Sequence, residues 1–80
     1  MAEGELPPRT VANAHSHSFE TGILITSGQA RVFFGDDLRA FIDVKHGDFL
    51  TIPENLVHCP VNFADEVMRY VVARATGVED

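Results

Sequence analysis

The sequence holds a single cysteine, Cys59, so no internal disulfide can brace the fold. No apolar run approaches the ~20 residues that a membrane-spanning helix needs, which argues against a membrane protein. Basic residues are scarce: six Lys and Arg stand against twelve Asp and Glu, and the net charge of −6 is spread along the chain. No basic stripe is left to neutralise phosphates, which disfavours nucleic-acid binding. Residues 1–5 lack the charged and apolar regions of a signal peptide, so the expected location is the cytoplasm. There is no internal repeat, no low-complexity tract and no convincing helical periodicity.

What remains is an ordinary globular composition, 45% hydrophobic with a mean hydropathy of +0.01, in a chain of 80 residues. That length makes one domain, residues 1–80, with residues 1–8 as a tail. Ordering costs on the order of 1.5 kcal/mol per residue, which nearly cancels the burial a chain this short can achieve. A bound metal or a partner subunit is the usual extra support.

Turn residues divide the chain into short extended segments. Residues 1–8 are acidic and end in Pro7-Pro8, which reads as a tail or an edge-lying lead-in. Residues 9–17 have weak β character and form an expected edge strand, and residues 22–27 form a buried strand closed by Gly28. Residues 29–34 and 38–44, joined across Gly35-Asp36-Asp37, read as a hairpin. Residues 49–52 make a short strand ended by Pro53, and Asn55 suits the left-handed bend that follows. Residues 61–65 are a loop or short strand. Val67, Tyr70, Val71 and Val72 favour a last strand over residues 66–75, with residues 76–80 fraying. Such spacing predicts an all-β sandwich or barrel of roughly six to eight strands.

Three of the four histidines then draw attention. His15 and His17 share a face only if their segment is extended, because side chains alternate along a strand and diverge on a helix at this separation. His58 is distant in sequence and must be brought in by folding. Imidazole nitrogens suit Zn, Cu, Ni or Fe, and three neutral ligands leave positions open for water or substrate. His46, beside Gly47, is expected as an exposed loop residue, and Cys59 as a small buried apolar side chain. The residues Phe33, Phe34, Phe41, Phe49, Phe63, Met68 and Tyr70 are candidates for the core or for an interface.

These residues resemble the cupin superfamily. Its second motif, G-x5-P-x-G-x2-H-x3-N, is matched at every spacing by Gly47, Pro53, His58 and Asn62, with Asn55 in place of the inner glycine. The first motif, G-x5-H-x-H-x3,4-E-x6-G, is met more loosely by His15, His17, Glu20 and Gly28, and its opening glycine is absent. Two residues separate His17 from Glu20; placing Thr21 at the glutamate position instead restores the second spacing.

The resemblance implies a small jelly-roll β-barrel or sandwich of the cupin, RmlC-like type. It implies a divalent transition metal (Fe, Mn, Zn, Ni or Cu) held by His15, His17, Glu20 and His58. It also implies a metal-dependent enzyme of dioxygenase or isomerase type on a small organic substrate. Asn62 is expected to satisfy loop backbone groups. No second cluster of titratable residues stands out, which weakens a hydrolase reading. The alternatives are a non-catalytic module that binds a small ligand and a structural domain. Fourteen residues before the first histidine supply few strands, so a homodimer that closes or covers the barrel is expected.

Overall fold

Extended segments of this length become stable only by pairing, and pairing accounts for every regular element among the described residues. In the computed structural model, which describes residues 2–74, these elements are eight strands. They are β1 (Ala2–Leu6), β2 (Thr10–Val11), β3 (Thr21–Ser27), β4 (Gln29–Phe34), β5 (Ala40–Lys45), β6 (Phe49–Ile52), β7 (His58–Asn62) and β8 (Met68–Arg74). The described residues include no helix long and apolar enough to cross a membrane. The strands form two antiparallel four-stranded sheets, ordered β1-β8-β3-β6 and β2-β7-β4-β5, which face each other as a jelly-roll sandwich. The expected fraying of residues 76–80 lies outside the described residues.

Alternation along the strands sends one set of side chains between the sheets. Leu6, Ile25, Ala30, Val32, Val44 and Met68 form the buried cluster, with Ile23, Leu50 and Tyr70 packed against it. Each large aliphatic side chain so buried stabilises the fold by about 1.5–3 kcal/mol. The core is therefore aliphatic. Of the aromatic residues named above, Phe41, Phe49 and Phe63 stay exposed because their strand or turn positions face outward. On the outer face of the second sheet the Arg31 guanidinium lies 4.2 Å from the Phe41 ring centre and bonds Asp43 at 2.7 Å. That bond holds the Asp43 carboxyl below its ordinary range.

Residues 2–6, expected within a tail or an edge-lying lead-in, form an edge strand. Leu6 pairs with Met68 and is buried, and Glu5 forms an ion pair with Arg69. The partner strand lies more than sixty residues away, so no local signal could reveal this pairing. With β2, the first eleven residues contribute two strands, and the chain supplies eight strands without a partner subunit. The turn after β1 needs a left-handed residue, and Arg9 takes that conformation (φ 52°) at the place where the cupin motif has its opening glycine.

The connections sort by end. The links β1–β2, β3–β4, β5–β6 and β7–β8 each cross from one sheet to the other, and all four lie at one end. Gly28 makes the crossing between β3 and β4 at φ 80°, where an added Cβ would sit 2.7 Å from the Val67 carbonyl oxygen. Asn62 ties this end together. It is 0% exposed, its Nδ2 lies 3.0 Å from Leu6 O, 3.1 Å from Pro7 O and 2.7 Å from Glu66 O, and its Oδ1 accepts from Ala64 N at 2.9 Å. The opposite end carries the hairpin turn 35–39 and two further crossings, residues 12–20 and 53–57, and the mouth of a cavity opens there.

Replacing Asn62 by Leu leaves several buried backbone groups without partners, at about 1–3 kcal/mol each. Asn62→Leu is expected to lower stability by roughly 3 kcal/mol, and Asn62→Asp by more, because a carboxylate oxygen would then face carbonyl oxygens. The urea unfolding midpoints of the two variants against the parent protein check this.

Candidate metal centre

The open end receives its histidines from two places. His58 begins β7, and the segment after β2 runs back along it. Pairing starts regularly, with Thr10 opposite Asn62 and Val11 opposite Val61, and Ala12 N donates to Pro60 O at 2.9 Å. Pro60 has no N–H with which to answer, and Cys59 Sγ donates to Ala12 O instead at 3.2 Å. The ladder then slips. His15 pairs with His58 through two backbone bonds, His15 N to His58 O at 3.0 Å and His58 N to His15 O at 2.9 Å.

From Ala12 to His15 is three steps, whereas from Pro60 to His58 is two, so one extra residue sits in the segment. This bulge changes the parity of the side chains. Without it, alternation from the inward Ala12 would turn Ala14 inward and His15 out. With it, His15 faces the same side as His58. The edge strand expected over residues 9–17 is therefore corrected: regular pairing covers Thr10–Val11, and the histidines ride on a bulged, irregular continuation. Residue His17 is fixed from the other side, where Asn55 N donates to His17 O at 2.6 Å. Asn55 makes that bend at φ 64°, the left-handed conformation that its place in the motif calls for.

The three rings meet. Their centres are 4.3 Å apart for His15 and His58, 4.9 Å for His15 and His17, and 5.4 Å for His17 and His58, and Phe19 stacks on His17 at 5.2 Å. One ring nitrogen from each lies within 4.8 Å of the others, close enough to hold a metal ion. Two of the rings are oriented by the backbone: His15 Nδ1 is 2.7 Å from Asn13 O, and His58 Nδ1 is 2.9 Å from Leu56 O. A carbonyl oxygen can only accept, so Nδ1 carries a proton in both rings, and the neutral form of each keeps its lone pair on Nε2. His58 is also held neutral. Burial pushes its pKa below the ordinary range, opposed by the bond to Leu56 and reinforced by His15.

The histidines open onto a cavity of about 280 Å³ that runs between the sheets, with walls that include Ile23, Val32, Leu50 and Val72. Thr21 reaches this cavity as well. Its side chain is 4% exposed, and Oγ1 has no hydrogen-bond partner among the described residues. Thr21 opens β3 opposite Ile52 and faces inward; its neighbour Glu20 is exposed and stands apart from the three histidines. The structure therefore brings together His15, His17 and His58 and leaves out Glu20, because strand alternation cannot turn two adjacent side chains to one face. His46 is exposed in the turn before β6, and Cys59 is buried.

A family model described as Cupin domain matches residues 2–74. No curated protein matches the sequence. Among solved structures, an uncharacterized conserved protein with a double-stranded β-helix domain from Klebsiella pneumoniae has a TM-score of 0.82 at 22% identity, covering 98% of this chain and 67% of that one. The polyketide cyclase RemF from Streptomyces resistomycificus has a TM-score of 0.77 at 26% identity, covering 90% of this chain and 51% of that one. The CENP-C cupin domain from Drosophila melanogaster has a TM-score of 0.81 at 16% identity, covering 91% and 58%. The chain thus spans about half to two thirds of the length of these structures.

A histidine with a depressed folded-state pKa contributes stability that is present above the unfolded value of ~6.5 and lost as pH falls below it, because the unfolded chain takes up the proton first. Metal-free protein is therefore expected to lose stability on acidification below that value. The loss should be smaller in His58→Gln. Urea midpoints measured at intervals from pH 8 to pH 5 compare the two.

Proposed function

From the fact that the chain belongs to the cupin family, we propose that it is a metal-dependent enzyme acting on a small, mostly apolar, oxygen-bearing molecule, with His15, His17 and His58 holding a divalent transition ion. One observation carries this reading. Two Nδ1–H groups are taken up by the carbonyls of Asn13 and Leu56, so two Nε2 lone pairs are left beside a third imidazole. A donor set oriented in this way by backbone carbonyls is the usual outer shell of a histidine metal site.

Bound there, a divalent ion would keep its full charge against three neutral ligands and so act as a Lewis acid toward a carbonyl or enol oxygen. The protein's own residues supply the rest. Burial keeps His58 unprotonated at neutral pH, Phe19 holds the His17 ring by stacking, and the aliphatic walls exclude water from a substrate's hydrocarbon part. Glu20, exposed and apart, adds no negative charge to the group. That favours carbonyl or enol chemistry, such as isomerisation, over an oxygen-using site that includes a carboxylate. The similarity to a protein described as a polyketide cyclase points in the same direction.

A non-catalytic ligand-binding module is the second reading. No Asp or Glu among the described residues lines the cavity, so no carboxylate stands ready as a general acid or base. Elemental analysis of untagged protein and turnover assays decide between them. His58→Ala should lose most of the bound metal and His46→Ala none; equal metal content in the two variants would remove the proposed site. Metal-replete protein should convert members of a panel of keto, enol and thiol compounds by isomerisation or with oxygen uptake, and silence across the panel favours the binding module.

The homodimer is also a proposal, on changed grounds. Closure does not need a partner, since the chain supplies both sheets itself. The outer face of the second sheet, however, exposes Val11, Phe41 and Phe63 around the Arg31–Asp43 pair, and a second copy would cover them. Sedimentation should give a dimer mass that shifts toward monomer in Phe41→Glu; a concentration-independent monomer mass in the parent protein counts against the proposal.

A further inference from the structure

The edge of a β-sheet presents unpaired N–H and C=O groups, and proteins blunt such edges by brevity, charge, proline or bulges. The two sheets have four edges, and three are blunted. β1 carries Glu3 and Glu5, β2 has two residues and gives way to the bulged segment, and β6 has four residues and ends at Pro53. β5 is different. Its six residues pair with β4 in unbroken register from Ala40 to Lys45, without proline or bulge, and all but Val44 are exposed. Ile42 shares the inward parity of Val44 and yet stays 42% exposed, because no strand lies beyond it in the sheet.

The hydrogen-bond phase of β5 follows from its end. His46 N donates to Gly28 O at 3.0 Å, which continues the ladder with β4, whereas Lys45 N and O are turned the other way and bond Asp48, at 2.9 Å each. Alternation then points the N–H and C=O of Ile42 and Val44 at β4, and those of Phe41 and Asp43 at the open edge. Gly35 N, which donates to Val57 O, sets the same phase from β4: odd-numbered residues there serve β7 and even-numbered ones serve β5. Among the described residues, the backbone groups of Phe41 and Asp43 find no partner at that edge.

We infer that β5 is a self-association edge: a second copy of this chain lays its own β5 antiparallel to it about a two-fold axis at Ile42, which joins the second sheets of the two copies into one. The register is set by which groups are free. Phe41 opposite Phe41 leaves Asp43 to Arg39, whose N–H is already given to Asp37 Oδ1 at 3.2 Å. Asp43 opposite Asp43 brings two carboxylates together and leaves Phe41 to Lys45, whose groups Asp48 holds. Phe41 opposite Asp43 satisfies every free N–H and C=O of both residues in both copies. That register also sets Ile42 against Ile42 in a non-hydrogen-bonded pair, where side chains lie closest, and so covers an inward-facing side chain that the fold leaves bare. Arg39 and Lys45 meet at its ends, each beside an acid of its own chain, Asp37 and Asp48. The self-complementarity selects a second copy over an unrelated strand, and the two-fold axis closes the assembly. The inference goes beyond the proposed function and needs neither the metal nor the cavity. Its contact is also distinct from the outer face named above for the homodimer, because it runs through backbone groups in the plane of the sheet.

Cysteine cross-linking tests the register. Cα atoms of a non-hydrogen-bonded antiparallel pair lie about 4.5 Å apart, within disulfide reach. With oxidised glutathione, Ile42→Cys should give a disulfide-linked dimer on a non-reducing gel, and the parent protein none, since Cys59 is buried. Lys45→Cys, exposed on the same strand but opposite Arg39, should stay unlinked. In sedimentation, Ile42→Glu should raise the dimer dissociation constant about tenfold or more by setting two carboxylates opposite each other, and Phe63→Glu should leave it unchanged. Ile42→Cys linking no faster than Lys45→Cys, or a dimer that Ile42→Glu leaves intact, overturns the inference. If Phe63→Glu dissociates that dimer instead, the copies meet by the outer face, and the homodimer stands without the edge. A parent protein that is monomeric at every concentration removes both.

Discussion

The arrangement of this protein depends on one buried carboxamide. Asn62, the last residue of β7, reaches the end of β1, the turn after it and the turn after β7, and it is sealed from solvent. A two-sheet sandwich with strands of two to seven residues has little ladder to hold its layers in register. A satisfied polar group in its interior fixes that register, because any slip would strand the amide among apolar side chains. Four of the six crossings between the sheets and this amide lie at one end, and two crossings, residues 12–20 and 53–57, join the sheets at the other. There the backbone can bulge, bend left-handed and leave a cavity without unravelling the sheets.

The halves of the site differ in how far they can be read from sequence, and the reason is where their determinants lie. Gly47, Pro53, Asn55 and His58 act locally: a proline ends a strand, an asparagine takes φ 64°, and the histidine follows at a fixed distance. The first half depends on something remote. The bulge that turns His15 inward arises opposite Pro60, whose missing N–H interrupts a ladder between segments almost fifty residues apart. The same holds for β1, whose partner is the last described strand, and for Arg9, which takes a left-handed conformation that its side chain gives no reason to expect. The all-β architecture and the hairpin of β4 and β5 were legible, since period-two alternation and turn residues are local properties. The exposure of Phe41 and Phe63 was not, because it depends on parity.

Parity also explains why Glu20 and Thr21 are exclusive alternatives. Adjacent residues entering a strand point to opposite faces, so one of them meets the cavity and the other meets water. Thr21 begins the pairing with Ile52, so its side chain is the inward one and that of Glu20 is exposed. A carboxylate facing the cavity would have drawn cations and repelled electron-rich oxygens. A threonine in its place adds no charge, so an ion held by the three histidines would keep its own.

The two ends of the sandwich then stand in a physical relation to each other. At the closed end, an amide joins three segments through hydrogen bonds that are always made. At the open end, three imidazoles bring together segments at positions that a cation would fill, and among the links already present are the backbone bridge of His15 with His58, the bonds of Ala12 with Pro60 and Cys59, and the bond from Asn55 to His17. Anything that binds the folded state and not the unfolded one stabilises it in proportion to the logarithm of its concentration over its dissociation constant. In a chain with so small an aliphatic core, that increment is comparable with the stability a single domain usually holds in reserve. A cation bound there would thus add a link between the segments that carry the histidines, which also line the cavity.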